Sequence, residues 1–237
     1  LHESVGMIDF ISLYPSIMTY CNISPEKPIP HHLEISQDNP GLIPQTLRPL
    51  LEKRIALKRR TEALSPDDPR YKPDKSRSAA LKMLLVCCFG YLGYKAAKFG
   101  RIESHEAISA LGREALLTAK EAAEDLGFRV LHLYVDGIWV KKENAKSKED
   151  FACLLNEISR RTSLPIALDA FYRWVAFLPS QADARMSVPN RYFGLKQNGV
   201  ITVRGMDIRK HDTPHFIARF QQDLLNLLSN MDSARQI

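Results

Sequence analysis

The chain has 237 residues, 45% of them hydrophobic and 25% charged, which excludes wholesale disorder. This length suits one large domain or two small ones, and it buries a core that needs no disulfide staples. The net charge of +6 is unevenly spread: residues 48–101 hold 14 Lys/Arg against 5 Asp/Glu, and the rest holds 19 against 22, so the excess lies in one block and points to a polyanionic partner.

Residues 5–11 (VGMIDFI) form a short apolar run interrupted by one aspartate and read as a buried strand ending near Asp9. Residues 24–49 contain six prolines and read as a loop. Residues 50–64 are helical in pattern, with Leu50, Leu51, Ile55 and Leu57 separated by Lys53, Arg54, Lys58 and Arg59. Three prolines and Asp67-Asp68 interrupt residues 65–73 before a second helix over 75–89, so the basic block folds as a helical hairpin. Gly90, Gly93 and Gly100 punctuate the next stretch, and an amphipathic helix follows over 105–126, ended by Gly127. Residues 129–140 read as two strands around a tight turn at Asp136-Gly137. A helix is expected over 151–162, strands over 174–178 and 199–204, and a terminal helix over 215–228. Strands and helices mix without regular alternation, which predicts an α+β fold.

The longest apolar run, residues 83–89, has seven residues; it is too short to cross a bilayer and is expected in a core. Cys21, Cys87, Cys88 and Cys153 include no CxxC pair and are expected as buried, reduced thiols of a cytosolic protein. The chain starts at Leu1 with no leader pattern and runs straight into a strand, which suggests a piece of a longer protein.

Asp9 and Asp136 are the informative residues, because each is a carboxylate set in an apolar strand context. Buried carboxylates are hydrogen-bonded, paired or bound to a cation. Asp136 in an Asp-Gly pair also suits a plain turn residue. If the two aspartates meet on neighbouring strands, a divalent metal between them relieves their repulsion. Mg²⁺ takes such hard oxygen ligands and completes its shell from substrate phosphates. With a cationic hairpin to clamp the phosphates, these groups sketch metal-assisted phosphoryl transfer.

Residues 9–17 (DFISLYPSI) resemble the first palm motif of family B DNA polymerases, DxxSLYPSI, without a mismatch. Leu50-Leu51 with Arg54 and Lys58 is similar to the family's first fingers helix, and residues 82–90 (KMLLVCCFG) to its motif KxxxNSxYG. Residues 134–140 stand where YGDTDS and its apolar followers belong, residues 191–194 (RYFG) resemble the end of KKRYxG, and residues 204–206 with 212–214 resemble the start of the thumb. The resemblance covers about residues 1–215. It implies a palm of antiparallel sheet backed by helices (1–47 and 101–205), an inserted helical fingers hairpin (48–100) and the beginning of a thumb (206–237), without the family's N-terminal and exonuclease domains.

The resemblance also implies roles. Asp9 and Asp136 hold two Mg²⁺ ions, with Mn²⁺ able to replace them, and the Phe10 carbonyl serves the nucleotide-side ion. Amides around Ser12 and Leu13 cradle the triphosphate. The Tyr14 ring lies under the deoxyribose and excludes a 2′-hydroxyl. Arg54, Lys58 and Lys82 grip the β- and γ-phosphates, and Lys82 protonates the leaving pyrophosphate. Phe89 contacts the nucleotide, and Gly90, Arg191 and Tyr192 contact DNA. Asp169 lies near a position that is often acidic in the family. The implied partners are primer–template DNA, dNTP and accessory replication or repair subunits; the implied place is the cytoplasm, at the nucleoid, with no membrane.

Departures from the pattern suggest a divergent, prokaryotic-type branch. The preferred register aligns the apolar residues after the third motif, because the strand pattern after the turn matches; it puts Asp136 on the motif's second aspartate and Tyr134 in place of the first. The other register, with Tyr134 as the motif's tyrosine, puts Asp136 on the first aspartate and Ile138 on the second. Val86, Cys87 and Phe89 replace Asn, Ser and Tyr of the fingers motif, and Pro189-Asn190 replace two lysines. The reading is a polymerase core that adds dNTP to a primer 3′-hydroxyl. Its rivals are an impaired palm kept for nucleic-acid binding or assembly, and a different palm-type nucleotidyltransferase or cyclase.

Overall fold

Strand β1 (His2–Phe10) is covered on both faces: Val5 is buried on one, and Ile8 and Phe10 on the other. In a computed structural model that describes residues 1–230, this strand is central in a six-stranded sheet. The other strands are β2 (Arg129–Tyr134), β3 (Gly137–Lys141), β4 (Ile166–Pro179), β5 (Ser187–Lys196) and β6 (Ile201–Arg204). Their order is β2-β3-β1-β4-β5-β6, and the pairs β1/β3, β2/β3, β4/β5 and β5/β6 are antiparallel. Helices are α1 (Leu13–Tyr20), α2 (Leu42–Ala63), α3 (Tyr71–Leu92), α4 (Ile102–Asp125), α5 (Ala152–Thr162) and α6 (His215–Ser229). The fold is α+β, as the sequence predicts.

The chain divides into two compact units. One contains Leu1–Asp9, Lys120–Asn156 and the residues from Leu168 onward; the other contains Phe10–Ala119 and Glu157–Ala167. In the first unit, one sheet face is an apolar cluster of Val5, Trp139, Ala170, Tyr172, Val175 and Tyr192, with Met7, Leu131 and Phe177 against it. On the other face Phe151 packs with Phe128 and Phe171, at centroid distances of 5.5 and 5.7 Å. The Phe151 ring lies where a side chain on Gly6 would have to go. Gly6→Ala is therefore expected to cost about 1–3 kcal/mol by overpacking, read as a melting temperature lower by about 2–4 °C per kcal/mol.

In the second unit, the helical hairpin is longer than the sequence pattern suggests. α2 begins at Leu42, inside the stretch expected to be a loop, and α3 begins at Tyr71. Pro44 and Pro73 each occupy the third position of their helix, where the missing N–H has no helical acceptor to lose. Pro49 lies in the helix interior, and burial of Leu47 and Leu51 holds α2 together there. The two helices are tied near the tip by buried Asp74, whose carboxylate takes Arg60 Nε at 2.6 Å and Arg77 Nη1 at 3.7 Å. Arg101 fixes the proline-rich connector by donating to the carbonyls of Pro25 (2.7 Å) and Lys27 (2.9 Å).

Three further expectations are corrected. Residues 83–89 are not core: Leu85 alone in the run is fully buried, while Met83, Leu84 and Val86 are exposed on α3. Of the cysteines only Cys21 is buried, its thiol pushed up to about 12 by desolvation; Cys87 and Cys153 are exposed on helix surfaces. The hairpin turn is Val135-Asp136, not Asp136-Gly137, because Gly137 already pairs in β3. The register that matches Ile138 and Trp139 to Ile8 and Met7 outweighs the turn preference of Asp-Gly. β5 and the first half of β4 carry no alternation plain enough to mark them as strands in the sequence.

Candidate active site

Asp9 lies near the end of β1, directly opposite Gly137 on β3. Strand alternation puts it on the face that carries Val5 and Met7. Directly opposed Cα atoms lie about 4.5–5.5 Å apart, and Gly137 presents no side chain to Asp9. Asp136 is the neighbouring residue, in the two-residue turn between β2 and β3. Both aspartates therefore occupy the same end of adjacent strands, which the sequence reading required. Asp136 is released from the pleat by its turn: Val135 has φ 54°, and the Asp136 N–H donates to the Tyr134 carbonyl at 2.7 Å. A β-branched residue in left-handed conformation is uncommon, and such outliers concentrate at functional sites.

The floor beside Asp9 is aromatic. Trp139 opposes Met7, His132 opposes Trp139, and Tyr134 opposes Gly137. The His132 ring lies 5.5 Å from both Trp139 and Phe177 and stacks on Tyr134 at 6.4 Å. Burial pushes the His132 imidazole below its ordinary pKa, towards the neutral form. Tyr134 is partly exposed on this face. Among the described residues, no group of three or more His, Cys, Asp or Glu is placed to hold a metal. The carboxylates at this end of the sheet are those of Asp9 and Asp136. This sparse oxygen set fits Mg²⁺, which completes its shell from phosphates and water.

The second unit holds the residues expected on the nucleotide. Ser12, three residues after Asp9 in the chain, is the N-cap of α1 and is itself left-handed (φ 56°). Pro15 has no N–H and Ser16 donates to the Ser12 carbonyl at 2.8 Å, so the amides of Leu13 and Tyr14 stand in the first turn of the helix. Buried Arg54 on α2 reaches this point: its Nη1 donates to Ser12 Oγ. A guanidinium is thus set at the positive end of a helix dipole, a combination that favours a bound anion.

Lys58 is one turn further along α2, with Nζ 3.9 Å from Glu62. Lys82 is exposed on α3. Arg60 and Asp74 make contact across the hairpin. At about 1.5 Å per residue, this puts Lys82 about level with Arg54, and Lys58 about one turn nearer the tip. Tyr14 stacks on Phe89, with centroids 4.4 Å apart and planes at 23°. Phe89 in turn stacks on His105, at 4.2 Å and 18°. Nothing in the sequence singled out His105, a lone histidine on an amphipathic helix.

Gly90 is exposed, with open space where a side chain would stand. Arg191 is half-buried on β5. Tyr192 is buried in the sheet cluster, 5.7 Å from Trp139 and 5.8 Å from Phe177, so its ring serves the core that supports Arg191. Asp169 alternates with buried Ala170 and so faces away from the Asp9 side of the sheet, beside Lys148 and Lys196.

Comparison with known proteins gives a consistent picture. The sequence profile of DNA polymerase family B matches residues 26–143. The chain is 32% identical over 239 residues to a DNA polymerase of Archaeoglobus fulgidus, covering 96% of this chain and 29% of that protein. It is 30% identical over 244 residues to DNA polymerase 2 of Saccharolobus solfataricus, covering 100% of this chain and 35% of that one. The structure of the family B DNA polymerase from Pyrobaculum calidifontis superposes with a TM-score of 0.66 at 27% identity, covering 98% of this chain and 30% of that one. The chain thus spans about a third of the length of the relatives it matches.

Proposed function

The chain belongs to DNA polymerase family B, and on that premise we propose that it forms the core of a template-directed DNA polymerase that adds dNTP to a primer 3′-hydroxyl. The observation that carries this reading is the pairing of Asp9 with Gly137, which sets Asp9 and Asp136 at one end of neighbouring strands. In this reading residues 1–47 and 101–205 form the palm and 48–100 the fingers. The thumb starts at 206, with residues 231–237 outside the described part.

Asp9, Asp136 and the Phe10 carbonyl would hold two Mg²⁺ ions. When bound, the metal supplies a lowered pKa for the primer hydroxyl and charge neutralisation on the phosphates. The chain's own residues do the rest. Amides at the start of α1 and the Arg54 guanidinium bind the triphosphate oxygens and orient the α-phosphorus for in-line attack. Lys58 and Lys82 neutralise the β- and γ-phosphates. The primer oxygen forms a bond to the α-phosphorus as the bond to pyrophosphate breaks, the hydroxyl proton passes to solvent, and Lys82 gives a proton to the leaving pyrophosphate. Tyr14 occupies the space of a 2′-hydroxyl. Gly90 lets the DNA backbone approach closely, and Arg191, held by the Tyr192 core, takes a phosphate. DNA, dNTP and accessory replication or repair subunits are the proposed partners, and the cytoplasmic nucleoid the proposed place; no helix of the described residues is long and apolar enough to cross a membrane.

Arg54→Ala is expected to raise the KM for dNTP by about 10- to 100-fold, the weight of a hydrogen bond to a charged group. Steady-state single-nucleotide addition checks this, and a melting curve separates it from loss of fold.

One observation favours a second reading, an impaired module that binds nucleic acid or serves assembly. Tyr134 lies on the Asp9 face of the sheet, and the preferred register puts it where the motif has its first carboxylate. If the full-length protein binds primer–template and dNTP but adds no nucleotide with Mg²⁺ or Mn²⁺, the second reading replaces the first.

A further inference from the structure

We propose that His105 is a positioning residue for sugar selection, acting through Phe89 on Tyr14; this rests on the polymerase reading and deepens it. The three rings form one continuous stack across three helices, Tyr14 from α1, Phe89 from α3 and His105 from α4. With interplanar angles of 23° and 18°, each ring covers the face of the next, so displacement of one frees its neighbour. His105 is the base of the stack.

Three contacts fix that base. The imidazole Nδ1–H donates to the Phe89 carbonyl at 3.1 Å, so His105 holds both the ring and the main chain of Phe89. Gly93, one helical turn beyond Phe89, leaves room for the imidazole: a Cβ there would lie 2.9 Å from Nδ1. Gly112, two turns along α4 from His105 and so on the same face, does the same for Tyr14, where a Cβ would lie 2.9 Å from Cε1. Ile108, between them on α4, is fully buried and anchors the helix. α4 therefore supports the stack at both ends, through a ring under Phe89 and a gap beside Tyr14.

Exclusion of a 2′-hydroxyl by Tyr14 depends on a ring that does not yield. Phe89 has no hydroxyl with which to anchor itself and takes its position from His105. Loss of the imidazole lets Phe89 retreat, and Tyr14 then yields to the larger sugar.

The test uses the full-length protein and compares single additions of CTP and dCTP opposite template G, as a ratio of kcat/KM, for wild type, His105→Ala, His105→Leu, His105→Phe, Tyr14→Ala and the Tyr14→Ala/His105→Ala double variant. The ratio of ribonucleotide to deoxyribonucleotide is expected to rise about 3- to 10-fold in His105→Ala and His105→Leu, the size of one ring–ring contact, through a lower KM for CTP. His105→Phe keeps a ring and should discriminate nearly as wild type does. The double variant should match Tyr14→Ala, because both changes act through one ring. General destabilisation would slow both sugars together and leave the ratio unchanged. A wild-type ratio in His105→Leu alongside a raised ratio in Tyr14→Ala overturns the inference and leaves the polymerase reading standing. A wild-type protein that adds neither nucleotide overturns both.

Discussion

Replacing either Asp9 or Asp136 by alanine in the full-length protein is expected to abolish primer extension, with a loss of about a thousandfold or more in kcat. The two side chains are the carboxylates that the fold sets at one end of β1 and β3. Metal stabilisation of a transferring phosphoryl group contributes several kcal/mol, and each 1.36 kcal/mol is tenfold in rate. Asp136 lies in a turn rather than in the packed core. A melting curve of Asp136→Ala separates loss of chemistry from loss of fold. Binding of primer–template should persist, since DNA affinity comes mainly from cationic contacts to phosphate. Gel-resolved extension with Mg²⁺ and then Mn²⁺, beside a filter-binding isotherm, checks both halves. Residual extension above about a tenth of wild type in Asp136→Ala would show that Asp136 holds no catalytic metal.

Tyr14→Ala is expected to have the second-largest effect, on selectivity rather than rate. A packed ring that fills the space of one hydroxyl discriminates by about 1–3 kcal/mol, or about 10- to 200-fold. Ribonucleotide addition should rise by that factor, measured as alkali-labile sites in the product strand. The ring is also one side of the stack with Phe89, so part of the change will be repacking around α3. Tyr14→Phe separates the two effects: it keeps the stacked ring and should preserve sugar discrimination. Unchanged ribonucleotide addition in Tyr14→Ala would remove this residue from the sugar-selecting role.

The parts of the site legible in the sequence are those written in contiguous residues. Asp9, Ser12 and Tyr14 stand in one unbroken motif, and a strand followed at once by a helix is what that motif forms. The basic pairing of Arg54 with Lys58 follows from helical spacing. Features that depend on which partner wins a competition were not legible. Asp-Gly favours a turn wherever it occurs, and only the pairing of β3 with β1 shows that Gly137 is already committed to the sheet. Pro44 and Pro49 signal a loop locally, yet a helix forms through them because Leu47 and Leu51 find a core. The apolar run at 83–89 looks internal by composition, but α3 turns most of it outward. His105 carries no local signal, since its meaning lies in two rings that are 16 and 91 residues away in the chain.

The prolines at the third positions of α2 and α3 bear on the order in which the chain acquires structure. Each one narrows the conformations open to the unfolded chain at a point where the helix must begin. The loop joining the two helices is short, and its closure costs little entropy. The Arg60–Asp74 contact spans only 14 residues, whereas β1 must find β3 across more than a hundred. Local contacts form early and distant ones late. Pulse-labelling during refolding should therefore protect amides of residues 50–63 and 75–92 before those of β1. The basic hairpin would then be present while the strands that set Asp9 and Asp136 at one end of the sheet are still unpaired.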